Sequence, residues 1–281
     1  MAQNGVAQSD RSSLHGQWSS RFAFVLAVSG SAVGLGNIWK FPYIAGQNGG
    51  GAFVLVYLFC VFCVGLPIMM SEVLLGRRGR RNPVSTMALL GEEESGTAAW
   101  GLVGASGAIA GFLILSFYSV IAGWTVAYIF KSMSGAFADP TAASVGAVFG
   151  SIAGSVEESG FWNTLFLGAT IVLVALGVER GIERAVKFMM PALFIIMLVL
   201  LGYSMNMGEF ERGFNFMFEP DFSKLSSQMI LAAMGQAFFT LSIGMGAVMA
   251  YGAYLPQDAS IMRTSFAVVC VDTAIAVLAG L

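Results

Sequence analysis

Few side chains in this sequence could take part in chemistry, and these few are located in long apolar stretches. Glu72 and Asp272 are carboxylates of this kind, and Cys60 and Cys63 form a Cys-x-x-Cys pair. Such a pair can bind zinc or exchange disulfides, but a zinc site of this type needs a second pair, and Cys270 is the one remaining cysteine. We expect these cysteines to pack as small apolar residues. Glu72 is expected to be a structural carboxylate held by nearby donors rather than a substrate contact. Two isolated carboxylates do not form the cluster of titratable groups that an enzyme requires, so no enzymatic activity is predicted.

The composition places these residues in a membrane. Hydrophobic residues make up 57% of the 281 residues and charged residues 11%, whereas soluble domains contain about 25% charged residues. A soluble fold of this size could not cover its surface with so few charges. The net charge of −2 also gives no basic surface for nucleic acid. The chain is therefore predicted to be an integral membrane protein that contacts the lipid bilayer and no nucleic acid.

Stretches without charge define seven predicted spans, because a helix needs about 20 mainly apolar residues to cross a bilayer. The spans are 20–46, 51–76, 98–131, 161–178, 187–207, 226–254 and 262–281. Of the 14 Lys and Arg residues, ten lie on the side of the N-terminus, and loops rich in these residues stay in the cytoplasm. We therefore expect a multi-pass protein whose N-terminal segment, 1–20, is cytoplasmic.

Two of these spans carry small and polar residues near the membrane centre. The first contains Gly30, Gly34 and Gly36, and each glycine costs a helix roughly 1 kcal/mol relative to alanine. The sixth contains Thr240, Ser242, Gly244 and Gly246. Close packing of small residues, as in a Gly-x-x-x-Gly motif, is the alternative explanation for the first span. We favour interrupted helices, because unwound backbone at this depth persists where it lines a cavity.

The two interrupted spans are five spans apart, so the second enters the membrane from the opposite side. Interrupted helices at corresponding positions of inverted halves are typical of transporter binding sites. Helix N-termini there face anions, and free carbonyl groups face cations. The pattern predicts a first five-span repeat over 21–207. It also predicts, over 208–281, an outer loop and the first two spans of an incomplete second repeat.

Several segments resemble the neurotransmitter:sodium symporter family, and the similarity extends over nearly the whole chain from Trp18 onward. They are WSSRF at 18–22, GSAVGLGNIWKFPY at 30–43, QNGGGAF at 47–53, PIMMSE at 67–72, GIER at 181–184 and GQAFFTLSIGMG at 235–246. The resemblance implies an all-α membrane fold, a leucine-transporter-type inverted-repeat bundle with spans one and six discontinuous. It is strongest to bacterial amino-acid symporters of the inner membrane. Against that family the chain is expected to be truncated at its C-terminal end.

The resemblance implies an amino-acid substrate bound between spans one, three and six. Its carboxylate is expected at the backbone of 34–36 and at the Tyr118 hydroxyl, although a lone phenol in an apolar helix is otherwise an ordinary buried tyrosine. Its amine is expected at the carbonyl groups of Ser31, Phe239 and Thr240. The implied substrate-binding residues are Ser31, Ala32, Gly34, Leu35, Gly36, Ile114, Tyr118, Phe239, Thr240, Ser242 and Met245. The apolar side chains among them favour a neutral, apolar substrate.

Two sodium ions are implied by the same resemblance. The first is expected at the Ala32 carbonyl group, Asn37, Thr240 and Asp272, since oxygen ligands suit a hard cation. The second is expected at the carbonyl groups of Gly30 and Val33, with further ligands on an eighth span. Gate residues are also implied: Lys40 and Phe239 on the outer side, and His15, Trp18 and Tyr254 on the cytoplasmic side. Lys40 stands where the family has an arginine, so it can pair with an acidic partner but not as a bidentate fork.

The predicted function is a sodium-coupled symporter that imports a neutral amino acid by alternating access. The alternative is a membrane sensor or partner subunit that binds a ligand without moving it. Asp272 stands where the family more often has asparagine, and a fixed carboxylate beside the first sodium would make chloride unnecessary. A carboxylate that faces a water-filled vestibule, or pairs with a lysine of a span outside this chain, is the alternative explanation for Asp272.

Overall fold

The computed structural model describes residues 18, 20–138, 141–206 and 209–281. Regular structure in these residues is helical, as the all-α prediction requires. In chain order the helices are α1 Arg21–Ala32, α2 Gly36–Gln47, α3 Gly51–Gly79, α4 Pro83–Ser95, α5 Ala98–Met133, α6 Ala142–Ala153, α7 Val156–Ala175, α8 Arg180–Met205, α9 Phe210–Phe218, α10 Ser227–Thr240, α11 Ala247–Gly252 and α12 Ile261–Gly280.

The helices follow the order of the predicted spans, with shifted boundaries. Five of them (α3, α5, α7, α8 and α12) are long and apolar enough to cross a membrane. The pair α1–α2 counts as one further span with a 49° bend. The predicted sixth span is divided between α10 and α11, which are 14 and 6 residues long, so the count of seven stays a prediction. Helix α7 begins earlier than predicted because the Ser155 hydroxyl accepts a hydrogen bond from the Glu158 N–H and caps it.

The sixth span is interrupted at the residues that the sequence indicated. Between α10 and α11 the backbone takes left-handed conformations at Ser242, Gly244 and Gly246, with φ of 54°, 85° and 76°. Glycine adopts these angles at little cost, which explains two of the three positions. Ser242 is a non-glycine residue in this region, and its hydroxyl donates a hydrogen bond of 3.2 Å to the Ser31 carbonyl group. The break is therefore tied to the first span.

The first span is interrupted differently. Helix α1 ends at Ala32, and Val33 is extended, with a ψ of 113°. None of the three glycines of this span is in the left-handed region, so close packing explains them. A Cβ atom at Gly30 would lie 3.1 Å from Val186, and one at Gly34 would lie 2.5 Å from the Tyr118 hydroxyl. Both explanations considered for this span thus hold: the helix is broken, and its glycines admit close neighbours.

The core lies between the two interrupted spans and their neighbours α3 and α12. Helix α12 packs against α1, α2 and α3, while α10 and α11 pack along α3. Phe24, Phe41, Phe53 and Tyr57 are fully buried there. The predicted segments 21–207 and 208–281 therefore share one core, and their division into repeats stays a prediction.

Helices α5, α7 and α8 present large apolar side chains to the outside. Exposed examples are Leu102, Phe112, Ile171, Phe188 and Val199, and α7 has no buried residue. Exposed apolar surface of this extent suits the hydrocarbon of a bilayer. The described part of the chain thus has an apolar perimeter around a core that contains polar groups.

Candidate functional site

A cavity of about 300 Å³ lies between the two helix breaks and α5. Ten of its thirteen lining residues belong to the sequence-predicted substrate and sodium sets: Gly30, Ser31, Ala32, Val33, Gly36, Ile114, Tyr118, Phe239, Ser242 and Met245. Gly111, Leu115 and Ala247 complete the lining. The structure therefore brings residues from three predicted spans to one cavity, whose volume suits a small ligand.

Tyr118 joins α5 to the first break. The Leu35 N–H donates a hydrogen bond of 3.0 Å to the Tyr118 hydroxyl oxygen. Leu35 directly precedes α2, whose N-terminal end carries a positive partial charge and free N–H groups. The Tyr118 hydroxyl and this helix end together form a place where a carboxylate can bind.

Phe239 separates this cavity from a second one. This second cavity has a volume of about 350 Å³, and Phe239, Tyr118 and Gly36 line both cavities. The ammonium nitrogen of Lys40 lies 3.7 Å from the centre of the Phe239 ring, within the range of a cation–π contact. Among the described residues, Lys40 thus contacts Phe239, the other predicted outer gate residue, rather than the acidic partner that its family position suggested.

A cluster of polar side chains lies behind the cavity, around Asp272. Asp272 is fully buried. The Asn37 side-chain nitrogen donates hydrogen bonds of 2.8 Å to its Oδ1 atom and 3.0 Å to its carbonyl oxygen. The Thr240 hydroxyl lies 3.3 Å from that of Tyr57. The Oδ2 atom of Asp272 has no hydrogen-bond partner within the described part of the chain. A buried carboxylate oxygen without a partner is costly, and a hard cation is one group that satisfies it.

Asn37 also takes part in the first break. Its side-chain oxygen accepts a hydrogen bond of 3.2 Å from the Gly34 N–H, so in this arrangement its nitrogen faces Asp272. The structure thus brings Asn37, Thr240 and Asp272 together as predicted, while Thr240 is buried behind the cavity instead of lining it. Gly30, Ala32 and Val33 line the cavity, and the assignment of all these residues to sodium stays a prediction.

Trp18 is buried against the 251–254 segment that contains the end of α11. It is 3% exposed, and its indole N–H donates a hydrogen bond of 3.2 Å to the Tyr251 carbonyl group. Its backbone N–H donates one of the same length to the Tyr254 carbonyl group. Trp18 and Tyr254 are therefore in contact, and their assignment to a cytoplasmic gate stays a prediction, whereas His15 lies outside the described residues.

Two other side chains, Glu72 and Gln236, form hydrogen bonds with the backbone at the breaks. The Glu72 carboxylate accepts hydrogen bonds from the N–H groups of Gly244 and Met249, at 2.6 and 3.3 Å, which agrees with a structural role. The Gln236 amide donates a hydrogen bond of 2.9 Å to the Gly36 carbonyl group.

Sequence reasoning missed Gln236 and Tyr57. A polar side chain in an apolar span was the available signal for Gln236, but nothing distinguished Tyr57 from a core tyrosine.

The cysteine pair is divided between two environments. Cys60 is buried and Cys63 is exposed, and both are free thiols. The packing prediction is thus right for Cys60, whereas Cys63 is exposed and does not pack in the core. No group of three or more His, Cys, Asp or Glu side chains in the described ranges is placed to hold a metal ion.

An all-helical membrane bundle with two interrupted helices around one cavity is the architecture of the leucine-transporter fold. The sodium:neurotransmitter symporter family profile matches residues 15–144 and 148–281. The chain belongs to this family. The family consists of symporters, so the predictions of family, fold and absence of enzymatic activity are confirmed.

Individual relatives support this family assignment. The chain is similar to the uncharacterized sodium-dependent transporter YhdH of Bacillus subtilis, with 40% identity over 94% of this chain and 58% of the relative. It is 29% identical to the bovine (Bos taurus) sodium-dependent neutral amino acid transporter B(0)AT2, over 86% of this chain and 36% of the relative. The crystal structure of MhsT in complex with L-phenylalanine superposes with a TM-score of 0.87, at 44% identity over 94% of this chain and 59% of that chain. The chain thus spans less than two thirds of the length of these relatives.

Proposed function

We propose that this chain forms the substrate- and sodium-binding part of a sodium-coupled symporter for a neutral, apolar amino acid. The observation that carries the proposal is the cavity between the two breaks, with Tyr118 at one end and Asp272 behind it. Ile114, Phe239 and Met245 give the cavity an apolar wall. MhsT was crystallised with L-phenylalanine, and B(0)AT2 is named for neutral amino acids, which supports the same substrate class here.

The substrate carboxylate is proposed to bind the N-terminal end of α2 at Gly34, Leu35 and Gly36, and to accept a hydrogen bond from Tyr118. The phenol can do this because its oxygen already accepts from the Leu35 N–H, which leaves its proton free to be donated. The substrate amine is proposed to donate to the carbonyl groups of Ser31, Phe239 and Thr240. Phe239 then closes the cavity from the outer side, with Lys40 above its ring.

The first sodium is proposed to bind at Asp272, Asn37, Thr240 and the Ala32 carbonyl group, and the second at the carbonyl groups of Gly30 and Val33. The support for the first is the buried Oδ2 atom of Asp272, which lacks a partner in the described residues. Because a carboxylate supplies the negative charge, transport is proposed to be independent of chloride. The protein is proposed to lie in an inner membrane with its N-terminus in the cytoplasm.

Alternating access is proposed to involve both ends of the bundle. The contact of Trp18 with the 251–254 segment closes one end, and Phe239 divides the two cavities near the other. Sodium stabilises one arrangement to the extent that it binds that arrangement more tightly. Opening at the Trp18 end after substrate binding would release both solutes together.

Uptake into proteoliposomes tests the proposal. The protein expressed from its complete gene is reconstituted, and uptake of labelled phenylalanine, leucine, glutamate and lysine is measured with an inward gradient of sodium or of choline. We expect concentrative uptake of phenylalanine or leucine with sodium and none with choline. Sodium-dependent binding without uptake would favour the sensor alternative, and preferred uptake of glutamate or lysine would contradict the proposed substrate class.

A further inference from the structure

The last turn of α3 and the loop that follows it contain four arginines, Arg77, Arg78, Arg80 and Arg81, whose surroundings differ. Arg77 donates hydrogen bonds to the carbonyl groups of Gln257 and Ala259, at 3.3 and 2.7 Å. Arg78 pairs with the carboxylate of Glu94. Arg80 is 3% exposed, and its Nη1 atom donates one hydrogen bond of 2.9 Å to the Ala253 carbonyl group.

The rest of the Arg80 guanidinium group is unsatisfied. Its Nε and Nη2 atoms are buried without a hydrogen-bond partner in the part of the chain that the structure describes. Burial lowers the pKa of this guanidinium group from its ordinary value, and the positive charge of Arg77 lowers it further. Arginine nonetheless stays protonated in proteins, so a buried positive charge must be compensated by an anion.

Arg80 lines a cavity of about 380 Å³ that has further donors around it. Arg81, Asn82 and Ser85 line the same cavity, together with Tyr254 from the segment that contacts Trp18. Asn82 caps α4 by accepting a hydrogen bond of 2.9 Å from the Ser85 N–H, so the amide nitrogen of Asn82 is the part of this side chain that can donate. The cavity also adjoins the N-terminal end of α4, a 13-residue helix, where the partial charge is positive.

We propose that this cavity binds a phosphate group, carried by a free anion or by an anionic lipid headgroup, between the side chains of Arg80 and Arg81. The planar guanidinium fork matches the oxygen geometry of phosphate. The bound group links the start of α4 to the end of α11, which the Arg80–Ala253 hydrogen bond already brings together. This site is separate from the substrate cavity and does not depend on the proposed transport function.

Two binding measurements on the purified protein distinguish the two sources. Equilibrium dialysis with labelled inorganic phosphate tests the free anion. Native mass spectrometry tests the lipid, by comparing retention of phosphatidylglycerol with that of phosphatidylcholine, whose headgroup has no net charge. We expect one bound phosphate or one retained phosphatidylglycerol per chain. Binding of neither would overturn the proposal.

Variants connect binding to the cavity. Arg80→Gln is expected to weaken binding roughly tenfold or more, the effect of losing a charge-assisted hydrogen bond. Arg81→Gln changes an exposed residue, so it keeps the fold and is expected to weaken binding even if Arg80→Gln does not fold. Arg78→Gln removes the same charge from a residue that already has a carboxylate partner, and it is the matched control.

Two results would contradict the site. Equal losses in Arg78→Gln and Arg81→Gln would show that the ligand responds to net charge and not to this cavity. The second result concerns Asp10, an acidic residue of this chain that lies outside the described residues. If the wild type bound neither phosphate nor phosphatidylglycerol and Asp10→Asn bound either, an internal carboxylate would be the partner of Arg80 and the proposal would be wrong.

Discussion

Tyr118 is the single side chain whose contact with the substrate can be removed with least disturbance. Its hydroxyl accepts from the Leu35 N–H at 3.0 Å, and its ring lines both cavities. Tyr118→Phe keeps the ring and removes one donor to a charged carboxylate, worth about 1.5–3 kcal/mol. We predict a substrate affinity that is lower by roughly 10- to 150-fold, measured by equilibrium binding of labelled phenylalanine at saturating sodium.

The control for Tyr118→Phe is Tyr203→Phe, which makes the same chemical change on the exposed face of α8. Tyr203→Phe is expected to bind as the wild type does. If Tyr118→Phe also kept wild-type affinity, the hydroxyl would not contact the substrate, and the carboxylate would have to bind elsewhere.

The chloride requirement is predicted to depend on Asp272. The charge of its carboxylate is proposed to neutralise the first sodium, so wild-type uptake should be unchanged when gluconate replaces chloride. Asp272→Asn removes that charge and is predicted to require roughly tenfold or more sodium, about 1.4 kcal/mol, or to need chloride. Asp221→Asn makes the same change at an exposed position and should behave as the wild type. Loss of wild-type uptake in gluconate would show that Asp272 does not supply the compensating charge.

At the scale of elements, α3 and α11 meet at a glycine. A Cβ atom at Gly76 would lie 2.0 Å from the Met249 carbonyl oxygen, a backbone atom that cannot rotate away. Gly76→Ala is therefore predicted to destabilise the protein by about 1–3 kcal/mol through overpacking. The measurement is the apparent midpoint of thermal unfolding in detergent, compared with the wild type.

Gly168 provides the matched control in another helix. A Cβ atom there would meet nothing within 4 Å, so Gly168→Ala should stabilise α7 by about 0.5–1 kcal/mol. The two variants should thus shift the midpoint in opposite directions. A shift in the same direction for both would mean that helix propensity, and not the contact between α3 and α11, decides the effect.

The sequence predicted which spans are interrupted, but it did not predict the backbone geometry of the interruptions. Glycine and hydroxyl residues indicated both breaks, because such residues are unfavourable in a membrane helix unless they line a cavity. The pattern could not show that, of the two breaks, the one in the sixth span has the left-handed backbone angles, since glycine adopts left-handed and right-handed conformations alike. It also could not show which atom of Asn37 faces Asp272, because that depends on the Gly34 N–H across the break.

At the scale of the whole molecule, contacts between residues far apart in the sequence could be predicted only from the family resemblance and not from local sequence patterns. The resemblance placed Ile114, Phe239 and Met245 in one group, and they line one cavity. The packing of Trp18 on the 251–254 segment, more than 230 residues away, follows from the same resemblance and not from local pattern. The contact between Lys40 and the Phe239 ring was not predicted, because the family position suggested a carboxylate partner.

The central claim is that sodium and an apolar amino acid bind together in one bundle and that each raises the affinity for the other, by a factor that must be the same in both directions. The most direct measurement is a sodium titration of labelled phenylalanine binding to the purified protein expressed from its complete gene, with potassium replacing sodium at constant ionic strength. Binding is predicted to rise and saturate with sodium and to be absent in potassium. Equal binding in potassium and in sodium would contradict the account.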